Sequence, residues 1–529
     1  MPPFLHYIGC RTPCQSTVIS FSRLTYRIDR SSSAKEEISR MELEQKRIVY
    51  CRRQLAQTSA CTETADCIVP DAFPDVGRVV YACGTAAIGD HAPQNGRLLI
   101  SGTVQAVILY EPENGGGLRR LEVPLSFAHI EECAQLDSSS VCLVECRVSA
   151  VEASVVNSRK LSIATDLVLT AECYDKTACD YTENIADDHT ELLSETCEAV
   201  LPDEAQLFSF SVLEDIPVEE TDGLSLLKQS CTLHITECRA MRDRIVVRGE
   251  AALRCLVMQL DEAVRTISKT TPFTQVFELT GAVEEDTPDA QLTVRSLECR
   301  IAADHSLSCT VNADALVLLR RSHTLHCITD FYLPGALLKT QEDSVSLYSS
   351  PEPQPFSAES VESIQTAAHI SHVICADAIC CGVRAAEKGL QISASVQVLC
   401  LDDEQRLCSV QRVLPLTFTG IEAGTCLRPS LSVRAQTVGE RGLTLTVTAE
   451  GACERETPLT LRHLCSVEQT AQQVDTGVTL LVRHIAGEAR LWDIAKDCGS
   501  TRAAICAAND LPSDTAAVSD TMLLVPLRI

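Results

Sequence analysis

Residues 479–529 read TLLVRHIAGEARLWDIAKDCGSTRAAICAANDLPSDTAAVSDTMLLVPLRI. Leu480, Leu481 and Val482 form a short apolar strand that leads through a turn into an amphipathic helix, Leu491-Trp492-Asp493-Ile494-Ala495. Gly499-Ser500-Thr501 breaks that helix, and Ser500 or Thr501 can cap a second one from Arg502 to Ala508. Asn509-Asp510-Leu511-Pro512 stops it, because proline lacks the N–H that the next turn needs. Met522-Leu523-Leu524-Val525-Pro526 supplies a closing strand, so the tail is expected to be a small βααβ module.

Upstream of this module the chain repeats itself. Alternating apolar runs open at Leu98, Ile245 and Leu390, 147 and 145 residues apart. A second set opens at Leu161, Leu307 and Leu443, 146 and 136 residues apart. Two landmarks with nearly one spacing predict a domain-sized repeat, far longer than a solenoid period. Strict alternation with Gly, Asn and Asp turns, as at Asn157-Ser158-Arg159, is the habit of antiparallel sheets wetted on one face. The fold class expected is therefore mainly β, with three tandem sandwich-like or barrel-like units followed by the βααβ tail.

The boundaries read as units at 42–176, 224–335 and 361–466, with the tail at 479–529. Residues 177–223 hold fourteen acids and no Lys or Arg, which reads as an acidic linker, although Phe208, Phe210, Val212 and Leu213 are suited to dock on a neighbouring sheet. Residues 336–360, with Pro351, Pro353 and Pro355, and residues 467–478 read as further linkers. Residues 1–41 lack an apolar core segment and read as a disordered or wrongly included extension, with Met41 an ordinary start.

Composition narrows the function classes. The chain has 529 residues and a formal net charge of −27, a surface that repels nucleic-acid phosphates and anionic lipid. No apolar run approaches the roughly 20 residues that cross a bilayer as a helix. The 28 cysteines lie largely inside alternating strands, as in Val141–Val148, where thiols behave as small apolar residues; reduced structural thiols are the expectation.

Before the first repeat stands Val69-Pro70-Asp71-Ala72-Phe73-Pro74-Asp75. This VPDxxPD string resembles the opening motif of SPOCS domains, found in spore-coat assembly proteins. LLISGTVQAVILY at 98–110, LPLTF at 414–418 and ITDFY at 328–332 resemble further strands of that family. LWDIA, AANDL and LLVP in the tail resemble a LysM module. The layout is similar to that of LysM-bearing SPOCS proteins, which dock on the spore-coat ATPase.

The resemblance implies a non-enzymatic adaptor in the mother-cell cytoplasm, on the forespore surface. Its partners would be the morphogenetic ATPase, other coat proteins or copies of itself. It implies partner contacts at Leu491, Trp492, Asp493, Asn509 and Leu511, and a turn-forming role for Pro70, Asp71, Pro74 and Asp75. Trp492 also suits a helix core anchor, and Asn509 a helix C-cap. The tail departs from LysM at Gly487–Trp492, which carries an extra residue, and at Ser519-Asp520, where Pro-Gly is usual. Those loops form the sugar groove, so peptidoglycan binding is the alternative reading.

Catalytic and metal chemistry are not expected. The chain lacks a Walker-type phosphate loop, Gly-x-Ser-x-Gly, His-Glu-x-x-His and Cys-x-x-Cys. His369, His372 and Cys375 are spaced for a helical metal site, but on a strand His372 points opposite to the other two. His323 and His326 are discounted likewise. No cofactor is expected.

Overall fold

The computed structural model describes residues 39–527, apart from 219–222, 303–305, 368, 388, 422–423, 440, 472–477 and 514. The suggested extension therefore lies almost wholly outside the described residues. The chain is mainly β, with two short helices among the described residues.

The first strands are β1 (Ser39–Arg40), β2 (Leu43–Ile68), β3 (Val76–Gln94), β4 (Arg97–Pro112), β5 (Arg119–Glu132), β6 (Val141–Asn157) and β7 (Lys160–Ile185). Two three-stranded antiparallel sheets, ordered β2-β7-β6 and β3-β4-β5, face each other across one apolar core. The alternation explains this locally: on β5, Leu121, Val123, Leu125 and Phe127 point inward while Glu122, Pro124 and Ser126 are exposed.

The plan recurs in β8 (Glu191–Pro217), β9 (Ser225–Met241), β10 (Arg244–Met258), β11 (Val264–Glu278), β12 (Thr287–Ile301) and β13 (Ser306–Tyr332). Here the sheets are β12-β13-β8 and β11-β10-β9. The third copy follows in β14 (Ala336–Ser349), β15 (Gln354–Gln365), β16 (Ile370–Ala386), β17 (Gly389–Asp402), β18 (Leu407–Thr419), β19 (Ser430–Val438), β20 (Gly442–Cys453) and β21 (Thr457–Ala471). Its sheets are β16-β17-β18 and β15-β20-β19, and a further sheet is ordered β1-β21-β14.

The three sandwiches meet at a shared cluster that includes Tyr81, Leu109, Leu227, Leu256, Cys375 and Leu399. Beyond the sandwiches, β2 with β7, β8 with β13, and β14 with β21 run on as three ribbons. They pack together through Tyr50, Tyr181, Leu201, Leu325, Leu347 and Leu461. Where a ribbon leaves its sandwich the strand is buried on both faces. Ala313–Arg320 and Leu167–Tyr174 accordingly read as near-continuous apolar runs rather than alternating ones.

The linkers expected from composition are strands. Residues 177–223 contain the end of β7 and all of β8, an edge strand that completes the second sandwich. An edge strand needs apolar side chains only where it meets the core. Phe208 stacks on Phe277 at 4.7 Å, Phe210 lies 5.6 Å from Phe273, Val212 is buried and Leu213 is exposed. The acids take the wetted positions. Residues 336–360 likewise hold β14 and most of β15, with Pro351 and Pro353 in the break between them and Pro355 at the start of the edge strand β15, opposite Ala452, and β21 extends into 467–478.

The tail comprises β22 (Leu480–Arg490), α1 (Leu491–Cys498), α2 (Arg502–Ala508) and β23 (Ala517–Pro526), in the order strand, helix, helix, strand. β22 runs on to Arg490 rather than turning after Val482, with a bulge between Ile485 and Glu488. Asp520 accepts from the Gly487 N–H at 2.8 Å there, so the two sequence departures in this tail touch each other.

Candidate docking site

The tail builds its own core from Ile485, Leu491, Trp492, Ile494, Ile505, Leu523 and Val525. Gly499 ends α1 at φ 67°, a left-handed conformation that glycine adopts without Cβ strain. Thr501 caps α2, its Oγ1 accepting from the Ala504 N–H at 3.1 Å. Asn509 is the C-cap of α2, at φ −118° and ψ 10°, and its side chain clamps α2 to β23. Its Nδ2 donates to the Ile505 and Leu524 carbonyls at 2.8 and 2.7 Å, and its Oδ1 accepts from the Leu524 N–H at 2.8 Å. The C-cap reading of Asn509 therefore holds, with its backbone N–H on the Cys506 carbonyl at 3.2 Å, and its side chain is spent inside the tail. Leu511 is half-buried against the same core.

Leu491 and Trp492 are buried, which corrects the expectation that Leu491 faces a partner and, for Trp492, favours the helix core anchor over the partner contact. Trp492 is turned toward the end of β13. Its Nε1–H donates to Asp330 Oδ2 at 2.8 Å, and its ring meets Tyr332 edge-on at 5.0 Å. Lys496 Nζ donates to Asp330 Oδ1 at 2.6 Å, and the Tyr332 hydroxyl donates to the Ser500 carbonyl at 2.9 Å. Burial pushes the Asp330 carboxyl up, but the Lys496 and Trp492 donors outweigh it and hold the group below its usual range. The tryptophan thus secures the tail to the second unit. Asp493 remains exposed, paired with Arg490 at 3.2 Å.

The opening motif is a structural lock. Arg159, from the β6–β7 turn, donates to the Phe73 and Val69 carbonyls at 2.7 and 2.9 Å and to the Asp75 and Asp71 carboxylates at 3.2 and 3.1 Å. The Phe73 N–H closes a turn on the Pro70 carbonyl at 2.9 Å, and the Tyr110 hydroxyl donates to the Pro74 carbonyl at 3.0 Å. The motif therefore fastens the link from β2 to β3 over one end of the first sandwich.

Two clusters escaped sequence reasoning. At the junction of the three units, Arg320 is fully buried and donates to Asp289, Glu454 and the Ser350 carbonyl at 2.8, 2.8 and 3.1 Å. Arg53 of the first unit also reaches Glu454, and Arg428 of the third reaches Glu172 and Gln291. Burial raises the Glu454 carboxyl, yet Arg53, Ser350 and Arg320 outweigh it and the group ends below its usual range. The residues come from opposite ends of the sequence, so no local motif announces them.

The second cluster is Cys255, Cys299 and Cys309, whose sulfurs all lie within 4.8 Å of one another. By contrast, His369 pairs with Asp403, and His323 contacts Asp203 at 2.8 Å. The described cysteines are free thiols.

Residues 224–302 match the family model described as SipL, SPOCS domain. The match runs from just before β9 to the end of β12, and it supports reading the chain as a SPOCS-domain protein connected with sporulation. No curated protein and no solved structure matches the chain. No helix among the described residues is long and apolar enough to cross a membrane.

Proposed function

We propose that this protein is a non-enzymatic structural adaptor of the spore coat or envelope. Its three β units act as SPOCS or SPOCS-like modules, and its βααβ tail as a LysM-like protein-docking module. The carrying observation is the SPOCS match at 224–302, in the middle copy of a plan that occurs three times. The shared clusters weld the copies into one scaffold, and a rigid scaffold with several faces suits multivalent tethering, where modest contacts sum through effective concentration. The tail's inner face is spent on Asp330 and Tyr332. A partner such as the coat ATPase would therefore meet its outer face, where Asp493 is exposed and Leu511 partly so.

The test is localisation in sporulating cells of the tagged full chain beside a chain ending at residue 478. The full chain should gather at the forespore surface, and the shortened chain should spread through the mother cell. Identical localisation of the two would rule out docking through the tail.

A further inference from the structure

We propose that the second sandwich holds a structural zinc ion between its sheets, bound by the thiolates of Cys255, Cys299 and Cys309. Cys299 and Cys309 are directly opposite each other on β12 and β13, in one sheet. Cys255 reaches them from β10, in the facing sheet. The trio therefore bridges the core instead of pairing along one ladder.

The distances suit the metal. Cys255 and Cys299 have sulfurs 3.8 Å apart. Zinc–thiolate bonds of about 2.3 Å set the edge of a tetrahedron at about 3.8 Å. Cys231 on β9, opposite Leu253, turns into the same core, with its sulfur outside the trio that lies within 4.8 Å. Gln229, opposite Cys255 on β9, spans the sheets beside them. Its Nε2 donates to the Leu297 carbonyl at 2.7 Å and its Oε1 accepts from the Cys299 N–H at 3.0 Å. That fixes the Cys299 backbone relative to β9.

The internal repeat sharpens the inference. Counting from Leu98, Ile245 and Leu390, Cys255 corresponds to Ile108 and Cys400; counting from Leu161, Leu307 and Leu443, Cys309 corresponds to Ile163 and Leu445. In the first unit both positions are fully buried isoleucines that fill the core. In the second unit both are smaller, buried thiols that face each other across the core. Buried soft sulfur donors select zinc or copper(I), and zinc makes a closed structural site without redox chemistry.

The experiment uses the full chain, purified anaerobically from zinc-supplemented cells, with metal measured by elemental analysis and cobalt(II) exchanged as a spectroscopic probe. About one zinc per chain is expected, with a thiolate-to-cobalt charge-transfer band after exchange. Cys299→Ser should lose both signals, while Cys408→Ala, in the Cys400–Cys408 pair of the third unit (3.7 Å), should keep both. If Cys299→Ser does not fold, the cobalt spectrum of the unaltered chain decides alone. A metal-free chain, cobalt bound without a thiolate band, a Cys255–Cys299 disulfide in the anaerobic protein, or zinc retained by folded Cys299→Ser would each overturn the site.

Discussion

Asp330 and Arg159 each hold a segment in place with several bonds from one side chain. Asp330 serves two donors, Trp492 and Lys496, so its ionised form is stabilised when the tail is seated. Its folded pKa is lowered, so the stability it lends is present above the ordinary carboxylate range. That stability disappears as pH falls through the depressed folded value, below 3.8. Trp492 is the only tryptophan, so its fluorescence should be steady from neutral pH down to that range and change below it. Trp492→Phe keeps an aromatic ring but removes the N–H, and should weaken seating of the tail by about 1–3 kcal/mol, read as a lowered denaturant midpoint. Arg159→Ala should cost about 2–3 kcal/mol by unpinning four acceptors of the 69–75 loop, read as a drop in Tm.

Among the elements, β4 and β10 show how strand sequence encodes close packing. A Cβ on Gly102 would lie 2.3 Å from the Ala87 carbonyl oxygen and 2.6 Å from the Phe127 ring. One on Gly249 would lie 2.3 Å from the His234 oxygen and 2.6 Å from Phe273. In each case the phenyl ring covers the glycine directly opposite it. In the third unit the corresponding residue is Ala394, and Leu414 faces it in place of the ring. The steric obstacle is twofold, a backbone carbonyl on one neighbouring strand and the ring on the other. Gly249→Ala should therefore destabilise the second sandwich by about 1–3 kcal/mol, and Gly249→Ala with Phe273→Leu should recover part of the loss in the same melt. The alternating runs that displayed the repeat contain these two glycines, whereas the rings that cover them come from the next strand and show only in the structure.

For the whole molecule, the decisive contacts are those between units. Glu454 receives Arg53 from the first unit and Arg320 from the second, and both guanidiniums are nearly or fully buried. Glu454→Gln would leave two buried cations short of their counter-charge, and should cost about 3–5 kcal/mol in a chemical denaturation curve. The folded pKa of Glu454 is also depressed, so its contribution is kept above 4.5 and lost in more acid solution. Because the sandwiches share one cluster and the ribbons another, calorimetry should record a single cooperative transition; three separable transitions would show that the copies fold independently.

Local periodicity in the sequence determined the β character, the threefold recurrence and the order of elements in the tail, because period-2 alternation and capping residues act over a few neighbours. It misjudged 177–223 and 336–360, since acid-rich and proline-rich composition resembles a linker when the strand beside it is out of view. Only the tertiary structure decided that Trp492 faces inward, that Arg159 gathers the VPDAFPD loop, and that Arg53, Arg320 and Glu454 meet. It alone brought Cys255, Cys299 and Cys309 together from three strands in two facing sheets. Each of these depends on which chain segments become neighbours, and that is set by packing among surfaces distant in sequence.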